Sequence, residues 1–410
     1  MLELAEKRRF RAAAYPGVAA AHGREVERTL WRQVEGRLPA QGEPLAAGRI
    51  GRRAGRLPAP RISYDPVRFR FRCVRAAVGA AVLMLGSGTA ALAAEAPANR
   101  AGSESGAAAW LDTIEADPEL QAFVDGTVAA LRGTDPALRR QAVRVAVIDL
   151  PSAGPARLAH WNGTSPVYPA SVPKFVYLMA AFAWRDQGRL KIDPTIDHEL
   201  REMVYASSNK ATQKVVARLT GTRPGPRLGL FEYRAFRDKR LAVKRWLASL
   251  GITDLHTVHP TYDGGDISPR EQQFLSDPAI PGGLPAPGGA FRNRQAMTAV
   301  GSARLLALLA TDRALAPATC EEVRRRMQRD VRKQPYLRHR IAGGAARSPG
   351  FEVYSKTGTW GPIHADGGIV RHRSGHQIVL AAFLEGTPRY RGSFIAGFTD
   401  RVVRHLVPSE

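Results

Sequence analysis

Apolar positions change period along this chain, and the order of the changes predicts its architecture. Beyond Asp117-Pro118, residues Leu120, Phe123, Val124, Val128 and Leu131 recur at helical spacing until Gly133 stops them. Gln141 to Leu150 reads as a strand and Arg157 to Trp161 as its partner. The segment from Val172 to Trp184 is apolar nearly all round, the pattern of a buried helix, and ends near Gly188. Two amphipathic stretches follow, separated by a polar break at Ser207-Ser208-Asn209. After Gly221 come a basic helical stretch around Leu241 to Leu250, a Pro- and Gly-rich loop from His256 to Gly289, and a helix near Ala296 to Leu309. Three strands are predicted at 352–356, 367–373 and 376–384, the last two joined at Ser374-Gly375. Phe394, Ile395, Phe398, Val402 and Leu406 mark a closing helix. Two early and three late strands among helices predict an α/β (α+β) fold, an antiparallel sheet flanked by helices plus a mostly helical subdomain.

The N-terminal quarter has no such periods. Residues 1–93 hold 17 Lys+Arg against 7 Asp+Glu, so much of the formal charge of +23 sits there. Val67 to Arg75 is basic, Ala76 to Ala93 is apolar, and Ala91-Leu92-Ala93 offers an A-x-A cleavage site, so residues 67–93 are expected to be a signal peptide cut after Ala93. Residues 1–66 are then expected to be a non-native upstream extension or a disordered basic leader, with translation starting near Val67. Residues 94–109, rich in Ala, Gly, Ser and Glu, are expected to form a linker. Export places the mature chain in the periplasm or outside the cell, touching a membrane only through the signal or anchor segment. Cys73 leaves with the signal and Cys320 remains alone, which excludes a disulfide framework. The remaining positive charge is arginine scattered over predicted helix surfaces, read as a solvated basic face, with loose attraction to anionic cell-wall polymers as the functional alternative. It lacks aromatic–basic interleaving or a recognisable motif, so nucleic acid is not an expected partner.

Three short motifs supply the candidate chemistry: Ser171-Val172-Pro173-Lys174, Ser207-Ser208-Asn209 and Lys356-Thr357-Gly358-Thr359. A serine hydroxyl is a weak nucleophile near neutral pH and needs a base within reach, and a lysine three residues on in a helix lies on the same face. Burial disfavours the charged form of such a lysine, which favours a proton-accepting amine. A second S-x-x-K, Ser207 to Lys210, lies in the polar break rather than at the head of a buried helix. The strand Glu352 to Trp360 runs through Gly358, where a glycine permits close backbone approach.

In this order the motifs resemble those of the serine β-lactamases and penicillin-binding proteins, S-x-x-K, S-D-N or S-x-N, and K-T-G, closest to the class A β-lactamase-like enzymes. The resemblance implies a β-lactamase/transpeptidase-like catalytic domain over 110–408 with its site between sheet and helical part. It also implies acyl transfer: Ser171 as nucleophile, Lys174 as base or relay, and Ser207 passing a proton to the leaving nitrogen. Asn209 would bind the substrate's side-chain amide, and Lys356, Thr357 and Thr359 its carboxylate. Backbone N–H groups of Ser171 and Thr359 would form the oxyanion hole beside Gly358. The implied partner is a small β-lactam or a peptidoglycan stem peptide, the chain a monomer, and neither metal nor organic cofactor is required.

The departures narrow the activity. No E-x-x-L-N, the class A context of the glutamate that activates the deacylating water, occurs between Ser207 and Lys356. Asp263, Asp266 and Glu271 are the carboxylates available in the corresponding stretch. Ser208 replaces the aspartate of S-D-N, and Asp366 stands where many relatives carry a carboxylate-binding arginine, with Arg371 and Arg373 farther along. A D-alanyl-D-alanine peptidase or esterase, or a slowly deacylating β-lactam sensor, is therefore the alternative to a β-lactamase. His256 and His259 with the nearby aspartates lack any metal-site spacing, His372 and His376 read as exposed strand ends, and Trp360 reads as a core or cleft-wall aromatic, with substrate stacking as the alternative.

Overall fold

A computed structural model describes residues 100–407 apart from 263–266, 287–288 and 290. The leader, the signal segment and the candidates Asp263 and Asp266 lie outside the described residues. In chain order the strands are β1 (Glu115–Ala116), β2 (Gln141–Leu150), β3 (Arg157–Trp161), β4 (Leu255–His256), β5 (Ala296–Met297), β6 (Gln328–Arg329), β7 (Phe351–Trp360), β8 (Ile363–His372) and β9 (Gln377–Gly386). One sheet has the order β1-β3-β2-β9-β8-β7-β6, and β4 pairs with β5 apart from it. All its pairings are antiparallel except the two-residue β1–β3 contact. The two early and three late strands thus form the expected antiparallel sheet, with short strands added at both edges.

Both faces of the sheet are covered, which explains why β2 and β9 read as near-continuous apolar runs. On β2, Val143, Val145 and Val147 enter one core with Leu120, Val124, Phe398 and Val402, from the helices Pro118–Thr134 and Phe394–Leu406. Ala146 and Ile148 face the opposite core, with the helices Lys174–Asp186 and Ala299–Ala310. Every residue from Lys174 to Trp184 is buried, as the unbroken apolar run requires. Antiparallel pairing sets the register of the site: Lys356 lies opposite Gly367, Thr357 opposite Asp366 and Gly358 opposite Ala365.

Two expectations need correction. The linker expected to run to 109 gives way to a helix, Arg100–Leu111, whose Ala107 and Leu111 reach the core. Small alanines leave no apolar period to read, yet they favour helix strongly. His376 is not a bare strand end: its Nε2 lies 2.5 Å from Oδ1 of the fully buried Asp149, which Arg157 also binds at 2.6 Å. Burial pushes the Asp149 carboxyl up, but the hydrogen bonds from His376 and Arg157 outweigh it and hold the group below its usual range.

Candidate active site

Ser171 lies in the turn that leads into the Lys174–Asp186 helix. The residue before it, Ala170, has φ 53°, a left-handed conformation that non-glycine residues adopt only where their surroundings hold them. Ser207 has φ 57°, and this turn brings both its carbonyl and its hydroxyl to the first helical lysine. Nζ of Lys174 lies 3.1 Å from Ser171 Oγ, 2.7 Å from Ser207 O, 3.4 Å from Ser207 Oγ and 2.7 Å from Asn209 Oδ1. Nζ of Lys356 lies 3.0 Å from the same Ser207 Oγ and donates to Thr357 O at 2.7 Å. Both lysines are fully buried. The three motifs therefore meet in one chain of polar atoms, Ser171–Lys174–Ser207–Lys356.

Gly358 explains how β7 comes so close. A Cβ there would stand 2.6 Å from Pro169 O and 3.2 Å from the backbone nitrogen of Ser171. Only glycine admits that approach without displacing backbone, and the next residue, Thr359, continues along the same strand. Ser208, in the place of the S-D-N aspartate, caps the Asn209–Thr220 helix, its Oγ accepting from Ala211 N at 3.2 Å. Asn209 is tied into the framework. Its Oδ1 also accepts from Thr261 Oγ1 at 2.8 Å, and its Nδ2 donates to Tyr262 O at 3.2 Å, fastening the loop beyond β4 to Lys174.

An arginine missed in the sequence completes the K-T-G end. Arg340 is buried, and its guanidinium donates to Thr359 Oγ1 at 2.6 Å and to Ala365 O at 2.7 Å. Asp366 holds the turn that carries it: Oδ2 accepts from Ile341 N at 3.0 Å. Burial raises the Asp366 carboxyl's pKa, against the pull of Arg340. Arg371 instead pairs with Glu352 at 2.8 Å, five residues along β8 from Asp366. Next along the strand from Thr359, Trp360 is 52% exposed, set edge-on to Tyr168, and Arg294 stacks 3.9 Å from the Tyr168 ring and 5.4 Å from that of Trp360. Trp360 is thus a rim aromatic with a cationic neighbour.

Glu271, the described member of the three candidate carboxylates, is committed elsewhere. It is buried in an ion pair with Arg240 and accepts from Tyr262 OH at 2.7 Å. Arg240 lies over the Phe236 ring in the same small core. Breaking a buried pair from one side leaves the other charge uncompensated, so Glu271→Gln is expected to destabilise the fold by about 3–5 kcal/mol. Denaturant unfolding checks this, and the folded fraction should keep the deacylation rate of the parent chain.

The histidines of the loop are buried and neutral. His259 Nε2 accepts from Gln295 N at 3.0 Å, and Nδ1 lies 2.7 Å from Pro260 O, so neither nitrogen offers a lone pair to a metal. Burial, with Arg240 and Arg294 nearby, brings its pKa down to about 4, while burial and Lys244 bring His256 to about 3. In the unfolded chain both would titrate near about 6.5. The unfolded state therefore takes up protons first as pH falls, and stability is lost between about 6.5 and 4, by about 3 kcal/mol for His259 alone. Urea midpoints measured across that range should fall with pH, and less steeply for His259→Gln.

Residues 239–406 match the model of the β-lactamase enzyme family, a span that contains K-T-G but neither Ser171 nor Ser207. The β-lactamase from Sphaerobacter thermophilus aligns with a TM-score of 0.50 at 18% identity, over 70% of this chain and 98% of that one. A variant of the class A β-lactamase of the last common ancestor of Gram-negative bacteria aligns with a TM-score of 0.50 at 16% identity, over 70% and 99%. No curated protein matches the chain in sequence. The fold is that of the serine β-lactamases and penicillin-binding proteins, the superfamily that the three motifs resemble.

Proposed function

We propose that the chain is an exported serine acyl-hydrolase of the class A β-lactamase-like type, which forms an acyl-enzyme on Ser171 with β-lactams or related amides. The observation that carries this reading is the unbroken Ser171–Lys174–Ser207–Lys356 chain of polar contacts. A neutral amine has two N–H donors and one lone pair. At Lys174 two carbonyl oxygens, Ser207 O and Asn209 Oδ1, stand at donor distance, and the Ser171 hydroxyl at 3.1 Å is placed to give its proton to the lone pair. In the reaction the Ser171 proton passes to Lys174 as Oγ bonds to the carbonyl carbon. The N–H groups of Ser171 and Thr359 bind the developing oxyanion. When the C–N bond breaks, Ser207 gives its proton to the leaving nitrogen and is reprotonated by Lys174. Lys356, Thr357 and Thr359 hold the substrate carboxylate, with Arg340 adding positive charge behind Thr359.

Release of the acyl group is the slow half of the cycle. The commitment of Glu271 to Arg240 and the absence of an E-x-x-L-N segment favour a penicillin-binding or sensor-like end state over a fast β-lactamase. Peptide mapping after brief exposure to benzylpenicillin tests the reading. A single modified peptide containing Ser171 supports it, and modification at another serine sinks it.

A further inference from the structure

Behind the motif-bearing strand lies a second concavity, a groove of about 1200 Å³ bounded by the Pro194–Val204 helix, the end of the Pro317–Met327 helix, the following loop and the start of β7. Six cations line it: Arg201, Arg325, Arg326, Arg329, Arg332 and Lys333. Its three carboxylates are already engaged. Asp197 pairs with Arg326 at 2.6 Å, Asp330 with Arg332 at 3.3 Å, and Glu352 with Arg371 at 2.8 Å. Arg325 and Lys333 are exposed and have no ion-pair partner among the described residues. Arg329 is 94% buried at the inner wall. Its Nε donates to Ser355 O at 2.9 Å and its Nη2 to Val204 O at 2.8 Å, while Nη1 is buried with no hydrogen-bond partner. A buried guanidinium nitrogen left without an acceptor is costly unless something fills the place.

We propose that this groove binds an extended polyanion, a ligand carrying successive phosphate or carboxylate groups, with its oxyanions taken by the exposed Arg325 and Lys333 at the rim and Arg329 supplying positive charge from the inner wall. The groove exceeds the volume of an ordinary small-molecule pocket, about 300–1,000 Å³, which suits an oligomeric ligand. It is separate from the acyl-transfer site but joined to it through Arg329, whose two backbone contacts lie one residue before Lys356 and three before Ser207.

Arg329 supports the fold, so the test uses the rim. Isothermal titration calorimetry of the full chain at fixed ionic strength, with inorganic tripolyphosphate and with citrate as probes, should give saturable binding of at least one. The double variant Arg325→Gln/Lys333→Gln should weaken it about tenfold, while Arg234→Gln/Lys239→Gln, which removes the same charge from the exposed face of another helix, leaves it unchanged. Binding of tripolyphosphate alone assigns a phosphate-bearing ligand, and of citrate alone a carboxylate-bearing one. Absence of saturable binding with both probes, or equal weakening by the two double variants, overturns the proposal.

Discussion

Ser171→Ala is expected to abolish covalent labelling by benzylpenicillin, whereas Ser207→Ala leaves slow labelling of Ser171. Two serines touch Lys174, at 3.1 and 3.4 Å, and both follow the S-x-x-K pattern, which by itself does not separate them. Their surroundings do. Ser171 stands against the Gly358 stretch of β7, where a backbone amide pair can receive an oxyanion. Ser207 Oγ sits between the amino groups of two buried lysines, Lys174 at 3.4 Å and Lys356 at 3.0 Å, a position suited to moving a proton. Intact-mass measurement on the two variants decides the assignment: labelling that survives Ser171→Ala and vanishes with Ser207→Ala exchanges the roles.

Lys174→Arg should lower the acylation rate by roughly 10² to 10⁴-fold, the range that general-base assistance is worth. A guanidinium keeps the charge but does not deprotonate in this range, and it has no lone pair to offer the Ser171 hydroxyl. It also fits poorly. The lysine nitrogen meets Ser207 O and Asn209 Oδ1 at 2.7 Å each inside a fully buried site, and a planar fork must displace one of them. Stopped-flow acylation with a chromogenic cephalosporin, beside the unfolding midpoint of the same variant, separates the two effects. Near-parent acylation would show that Lys174 supplies charge alone.

What the sequence made legible was local. The three motifs are contiguous runs, and each lies in the kind of element its neighbours predict: Ser171 at the head of a helix buried from Lys174 to Trp184, Ser207 in a break between two helices, Lys356 in a strand. β2 and β3 fall where the apolar runs end because both are fenced by turns and charged residues. Arg340 was not legible. It precedes β7 in sequence and reaches Thr359 only because the Ile341–Ala345 helix packs against β7 and β8, with Asp366 fixing the entry to that helix. Residue spacing carries no trace of that contact. The fate of Glu271 was hidden for the same reason: Arg240, thirty-one residues earlier, looks like one more surface cation on a basic helix. The Pro317–Met327 helix also escaped notice, since Cys320, Val323 and Met327 are its apolar stripe among charged neighbours.

Time-resolved intact-mass spectrometry of the purified chain mixed with benzylpenicillin tests the central claim most directly. The account predicts a single covalent adduct, located on Ser171, that forms faster than it decays and so accumulates. A chain that stays unmodified at every time point while the penicillin remains intact would contradict it.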